Sequence, residues 1–301
     1  MNISVVIATY NGQKYLEQQI ESILRQTVTP DEIIVCDDCS TDGTAAILES
    51  YKQQELLTYV VNNAQLGVIG NFKKGVALAK AGNYISLSDQ DDEWMPDKLE
   101  KCANLLKTID SERMPCMVYS DLMLVDKDDN ILNMSFWNEV GQQEKYQHNL
   151  QTLLFNQFVN GCTMLFNPAL ARMFSEIPNQ VRFHHDDWIA VAAFAFGNVQ
   201  RIDEPLVRYR KHDNNVTIEA DKKPRSRYRS IREQLLKVVK GQDDFLAIRL
   251  ELANLFYGEY ALKMTGEVKM YFEKFLSLQK RSYFFKKLAF RKMVMKFKIG
   301  N

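Results

Sequence analysis

Four carboxylates stand within five positions of "SLSDQDDEW": Asp89, Asp91, Asp92 and Glu93, immediately after an apolar run. Carboxylates at such spacing repel one another and lose hydration, so they call for a cation to offset them. The Asp89-Gln90-Asp91 spacing lets one carboxylate reach a divalent ion while the other takes a neighbouring hydroxyl, and a site of oxygen ligands suits Mg2+ or Mn2+. Two more acidic pairs stand out: Asp37-Asp38 in "CDDCSTDGT" and Asp186-Asp187 in "HHDDW". Cys36 and Cys39 spell C-x-x-C, but Cys102, Cys116 and Cys162 stand singly and supply no second zinc pair. Cys36 also closes an apolar run rather than opening a helix, which argues against a redox pair. Gly67 and Gly70 in "LGVIGNF" lack the Gly-Lys-Ser/Thr that completes a phosphate loop, and are read as shaping a turn.

The elements that must position these residues alternate. "ISVVIATY", "EIIVC", "LTYVV" and "NYISLS" read as strands, separated by helical stretches such as the one with Leu16, Ile20, Ile23 and Leu24 on one face. That alternation predicts an α/β fold with a mostly parallel central sheet and flanking helices. "TYNG", "CDDCSTDGT" and "SDQDDEW" then fall at the carboxyl ends of strands, where open parallel sheets bind ligands. A helix starting at Pro96 buries Leu99, Cys102, Ala103, Leu106 and Ile109; "CMVYSDLMLVD", "GCTMLFN" and "VQRIDEPLVRYR" read as strands, "PALARMFSEI" and "DDWIAVAAFAF" as helices. From about residue 225 the sequence reads helical, basic and aromatic.

Composition narrows the class. The 301 residues are 46% hydrophobic, enough for a substantial core, and 38 Lys plus Arg balance 38 Asp plus Glu, so no overall field recruits nucleic acid. No apolar run approaches the ~20 residues that span a bilayer, the first residues show no basic export signal, and five cysteines suit a reducing cytoplasm.

"ISVVIATYNGQKYLEQQIESILRQT", "EIIVCDDCSTDGT", "NYISLSDQDDEWMPDKLE" and "HHDDW", in that order, resemble a bacterial family-2 glycosyltransferase with the GT-A (Rossmann-like) fold over roughly residues 2 to 215. The acid-rich stretch before Trp94 and the later "YRKHDNN" are similar to the rhamnosyltransferase-like enzymes of surface-polysaccharide (O-antigen, capsule) synthesis. The resemblance implies an inverting, metal-dependent transfer from a nucleotide-diphosphate sugar, dTDP-rhamnose or a UDP-sugar, to a saccharide or lipid-linked acceptor. By the same resemblance Ala8, Thr9, Tyr10 and Asn11 lie against base and ribose, Asp38 bonds the base, Asp89 stands near ribose and metal with Gln90 between, and Asp91 ligates Mn2+ or Mg2+. His212 resembles a histidine that completes the metal shell or touches the diphosphate, with Arg210 or Lys211 available to phosphate oxygens. An acceptor hydroxyl must lose a proton as it attacks, and Asp186 matches the base of the family, with Asp187 the near alternative and helix capping the structural one. His185 either tunes that base or fills space. Trp94 is expected at the acceptor and Trp188 in the core. A nucleotidyltransferase would open with a Gly- and Arg-rich phosphate loop, which "ATYNGQKYL" lacks; a non-catalytic sugar binder would have no use for all three of Asp89, Asp91 and Asp186.

The expected organisation is a catalytic domain over 1–220, with a nucleotide-binding half 1–126 and an acceptor half 127–220, and a helical C-terminal extension over 221–301. The tail "KRSYFFKKLAFRKMVMKFKIGN" holds eight Lys or Arg and no acid, which suits either an anionic membrane surface or a helix packed on the catalytic domain with a solvated basic face; the first reading predicts a cytoplasmic protein peripheral on the inner face of the membrane.

Overall fold

The computed structural model describes residues 1–140, 148–212, 215 and 246–296, with side chains as far as residue 292. Two compact units divide the chain: Met1–Glu144 with Gln157–Arg210, and Lys145–Asn156 with Lys211–Asn301. The expected boundary at 220/221, and the helical reading of 225–245, lie outside the described residues.

In the first unit the strands Ile3–Thr9, Glu32–Asp37, Tyr84–Asp89 and Cys116–Val125 are buried on both faces, whereas the edge strand Thr58–Val61 is partly exposed. Strands β1 (Ile3–Thr9), β2 (Glu32–Asp37), β3 (Thr58–Val61) and β4 (Tyr84–Asp89) are all parallel, and alternate with helices α1 (Leu16–Leu24), α2 (Thr44–Gln53) and α3 (Gly67–Leu78). Strand β5 (Glu93–Trp94) follows, then helix α4 (Lys98–Ile109), long strand β6 (Cys116–Val125), β7 (Ile131–Asn133) and α5 (Phe136–Glu139). Within the second unit's short insertion lies α6 (Leu150–Phe155); the first unit resumes with β8 (Met164–Phe166), α7 (Pro168–Ala171), α8 (His185–Phe196) and β9 (Asn198–Arg210).

The sheet runs β3-β2-β1-β4-β8-β6-β9-β5, with β7 on the side of β6. Strand β8 is antiparallel to both β4 and β6, and β5 is antiparallel to β9, so the sheet is mixed around a parallel half. Helix α1 covers the parallel half with Leu16, Ile20 and Ile23, all fully buried as the spacing requires and each contributing about 2 kcal/mol of burial free energy. Helix α4 covers β6, β8 and β9 with Leu99, Cys102, Ala103 and Leu106 buried, while Ile109 is only partly covered. Chain order reverses between β1 and β4, and there Ala8 pairs with Asp89 on one side while Thr9 pairs with Asp37 on the other. This is the switch point at which a doubly wound sheet opens a crevice.

Three expected elements differ. The run from Gly161 is a 3-10 turn, Gly161–Thr163, before only Met164–Phe166 extend as strand. "PALARMFSEI" is a one-turn helix that tightens into 3-10 geometry from Arg172. Glu93–Trp94 forms a strand that apolar periodicity alone does not show, because its partner is β9, with Trp94 opposite Val207.

The second unit holds α9 (Ala247–Tyr260), α10 (Gly266–Leu276) and α11 (Tyr283–Lys296), packed with α6. Phe155 meets Phe275 edge-on at 4.9 Å, and Phe256 stacks on Phe272 at 5.7 Å. Among the described residues no helix is long and apolar enough to cross a membrane.

Candidate active site

The loop after β1 is built by its own polar side chains. Asn11 takes a left-handed conformation (φ 51°), which Asn tolerates, and its Oδ1 accepts from the Thr41 N–H while its own N–H donates to Ser40 Oγ. The Gly12 N–H donates to Thr44 Oγ1, so the loops after β1 and β2 are laced together. Gln90 ties the acidic stretch to the same loop: its Oε1 accepts from Thr9 Oγ1 (2.6 Å) and from the Tyr10 N–H (2.8 Å), and its Nε2 donates to the Tyr10 carbonyl. A Cβ at Gly12 would come within 2.4 Å of that Oε1, so glycine is required there.

Asp37 and Asp38 separate cleanly. Asp37 is consumed by the turn, accepting from the N–H and hydroxyl of Ser40. Asp38 Oδ1 accepts from Asn62 Nδ2 and the Leu66 N–H, both at 2.7 Å, whereas Oδ2 accepts only from the Gly67 N–H at 2.9 Å. Asn62 in turn donates to Asn71 Oδ1 and accepts from Lys74 Nζ, so this corner is held from three elements. Cys39 has φ 66° and lends its thiol to the Asn62 carbonyl; Cys36 and Cys39 are both free thiols.

At the end of β4 the carboxylates gather. Burial, then the nearby charges of Asp91 and Asp186, push the Asp89 carboxyl up to about 7. The two acidic motifs, far apart in sequence, are thus close enough for the charge of Asp186 to act on Asp89. Asp92 is fully buried and raised by the same causes, desolvation first, then Asp91 and Asp89. Its Oδ1 accepts from the Arg210 N–H, and its Oδ2 has no hydrogen-bond partner of good geometry, although the Cys162 thiol lies beside it. Ligand atoms of Asp89, Asp92 and Cys162 stand within 4.8 Å of one another. Beneath them Lys98 is wholly buried, donates to Ser86 Oγ at 3.0 Å and sits 3.5 Å over the Trp94 ring; burial brings its ammonium down to about 8. Buried together, these carboxyls hold their protons because nothing nearby offsets both charges, and oxygen donors so gathered are a setting in which a divalent cation can replace those protons.

Asp186 and Asp187 open α8 and do different things. Asp187 Oδ2 turns back to accept from the His184 N–H at the helix start. Asp186 Oδ2 accepts from the Gly161 N–H at 3.1 Å, and its charge acts on Asp89. Gly161 is needed for this: a Cβ there would lie 2.6 Å from His185 Nε2. His185 is buried between Phe72, 4.2 Å away, and Phe174, with neither ring nitrogen hydrogen-bonded. Its burial first, and then His184, drive the imidazole down to about 3, so it stays neutral.

An exposed histidine titrates at 6.5, so the unfolded chain takes a proton below that pH while the folded one does not; stability is full above 6.5 and drains as the pH falls toward 3. At about pH 5 this loss comes to about 2 kcal/mol, and His185→Leu is expected to abolish it in urea unfolding. The same acid sensitivity in both proteins would show that the ring is not buried as a neutral group.

Arg210, expected near phosphate, is spent internally. Its guanidinium donates to the Asp91 carbonyl, to Asp129 Oδ1 (2.6 Å) and to Gln18 Oε1, and lies 4.7 Å over the Tyr15 ring, with no exposed surface. Trp94, expected at the acceptor, is 3% exposed within the core cluster, so its faces are taken by neighbours and not offered to a sugar; Trp188 is buried as expected. His212 lies in the second unit, where its N–H donates to Asn215 Oδ1. Sequence reading missed Lys98 and Gly161. A lysine four residues after an Asp-Glu-Trp run looks solvated until the ring beneath it is seen, and no local pattern marks that glycine.

Known proteins resemble this chain in sequence and fold. A glycosyltransferase of Rickettsia typhi is 29% identical over 215 residues, 71% of this chain and 65% of that protein, so the chain matches about two thirds of its length. TuaG of Bacillus subtilis, a glycosyltransferase named for teichuronic acid biosynthesis, is 28% identical over 71% of this chain and 81% of its own. Among solved structures, S. aureus TarS 1-349, solved with UDP-GlcNAc, superimposes with a TM-score of 0.57 at 18% identity, covering 98% of this chain and 82% of that one, a likeness of fold. The mixed sheet with flanking helices and further C-terminal helices is thus a GT-A-like fold. The model of the family described as Glycosyl transferase family 2 matches residues 4–169, and the chain belongs to that family.

Proposed function

We propose that the protein is an inverting, metal-dependent glycosyltransferase that moves a sugar from a nucleoside diphosphate to a saccharide or lipid-linked acceptor in cell-surface polysaccharide synthesis. The observation that supports this is a chain of contacts between the two acidic motifs: Cys162 lies within 4.8 Å of the Asp89 and Asp92 carboxylates, and the N–H of its neighbour Gly161 donates to Asp186. One carboxylate suits the donor side of the reaction and another the acceptor side.

Asp38 offers only an acceptor, with spare capacity on Oδ2. It suits a base that presents a ring N–H, as uracil and thymine do, and hence a UDP-sugar or dTDP-rhamnose; TarS, which shares the fold, was solved with a UDP-sugar. Tyr10, half exposed at the lip of the β1 loop, is placed to cover base or ribose, and Ala8, Thr9 and Asn11 set the loop's shape. A divalent ion, Mn2+ or Mg2+, held by Asp91 with Asp89 beside it would supply positive charge to the departing diphosphate. Asp186 takes the proton from the acceptor hydroxyl as that oxygen bonds the anomeric carbon and the carbon–diphosphate bond breaks. A single displacement inverts the centre. Asp187 serves the helix start, and the Gly161 N–H holds the Asp186 carboxylate in aim. In this reading residues 1–126 supply the donor side and the later part of the first unit, through Arg210, the acceptor side, and the reaction belongs to the cytoplasm, where nucleotide sugars are made.

The test is to supply UDP-sugars and dTDP-rhamnose with Mn2+ and a lipid-linked acceptor extract. Release of nucleoside diphosphate with an inverted glycoside is expected; pyrophosphate release, or a retained anomeric configuration, would contradict the proposal.

A further inference from the structure

The outer side of α11 reverses the order of a water-facing helix. Phe284 is 70% exposed, Phe285 53% and Leu288 39%, whereas Lys286, between them in sequence, is 6% exposed. Residues 284, 285, 288, 291 and 292 recur at helical spacing, so Arg291 and Lys292, both exposed, continue the stripe that the two phenylalanines and the leucine begin; exposed Arg281 precedes it. The inner side is occupied otherwise, with Phe290 against Phe155 at 6.2 Å. No Asp or Glu occurs from Ser277 to Asn301.

A solvated helix exposes its lysines and buries its phenylalanines. Aromatic and aliphatic side chains exposed on one stripe and flanked by arginine and lysine match the boundary between lipid headgroups and acyl chains, where rings sit in the interface and cations pair with phosphate. We propose that this stripe, Phe284, Phe285, Leu288, Arg291 and Lys292, docks on an anionic bilayer surface. A protein partner would have to match the shape of five side chains, whereas a bilayer asks only for positive charge beside apolar bulk, and the uninterrupted basic sequence supplies that complement. The inference goes beyond sugar transfer and is read by binding alone.

The test uses the full chain, with sedimentation against phosphatidylcholine vesicles and against the same vesicles doped with phosphatidylglycerol. Binding to the anionic vesicles is expected, falling with added salt and weaker by at least about tenfold on the neutral ones. Phe284→Glu with Phe285→Glu should lower the partition by about tenfold or more, while the far-ultraviolet circular dichroism and thermal midpoint match the parent. Arg291→Glu should weaken it alone without touching the apolar pair. Failure of the parent chain to bind, or equal binding by the parent and both variants, would overturn the assignment. So would a lipid-free dimer that the phenylalanine variant dissociates, since the stripe would then belong to a second copy.

Discussion

Asp186→Asn is expected to lower the rate constant for sugar transfer by about 10³-fold while leaving donor binding within about twofold, because removing a positioned base costs roughly 10²–10⁴ in rate. Asn keeps an oxygen for the Gly161 N–H, so the loss is of basicity and not of shape. Asp187→Asn is the control. It weakens a helix-start hydrogen bond worth about 1 kcal/mol and should lower the thermal midpoint by a few degrees with turnover largely kept. Steady-state kinetics with melting curves separate the two; a rate loss confined to Asp187→Asn would move the base by one residue and break the link between proton transfer and the residue facing Asp89.

The second large effect is structural. Arg210→Met should cost about 3 kcal/mol of folding stability, since it leaves the Asp91 carbonyl and the Gln18 amide oxygen without their donors in a buried setting. Little of that comes from the ion pair, because Asp129 is 41% exposed and its charge is hydrated anyway. Arg210→Lys should recover less than half, as one ammonium on a flexible stem cannot reach three acceptors set in a plane. Urea unfolding checks the order parent, Lys, Met. A lysine variant as stable as the parent would mean that charge alone matters there, and the guanidinium fork would lose its role in holding the turn that carries Asp91.

Much of this was legible before any coordinates. The strands β1 and β2 announce themselves as apolar runs because a parallel sheet buries both faces, and the polar clusters at the strand ends followed from that topology. Arg210 and Trp94 were harder. Each carries the residue type of a ligand contact, a guanidinium for phosphate and an indole for sugar, and each is consumed by the fold because β9 returns alongside Glu93–Trp94. That pairing is set by long-range geometry, so neither residue's local sequence shows it. The choice between Asp186 and Asp187 was likewise open in sequence, since both suit the start of a helix; it depends on which carboxylate the Gly161 turn receives.

The central claim is that Asp89 and Asp91 hold a divalent cation with the donor diphosphate while Asp186 stands opposite as the base. Mn2+ binding to the full chain, followed by electron paramagnetic resonance with and without UDP, reads it directly. UDP should tighten Mn2+ binding in the parent and in Asp186→Asn alike, and Asp91→Asn should weaken it by about tenfold or more. Undiminished, UDP-coupled Mn2+ binding in Asp91→Asn, or its loss in Asp186→Asn alone, would contradict that division of labour.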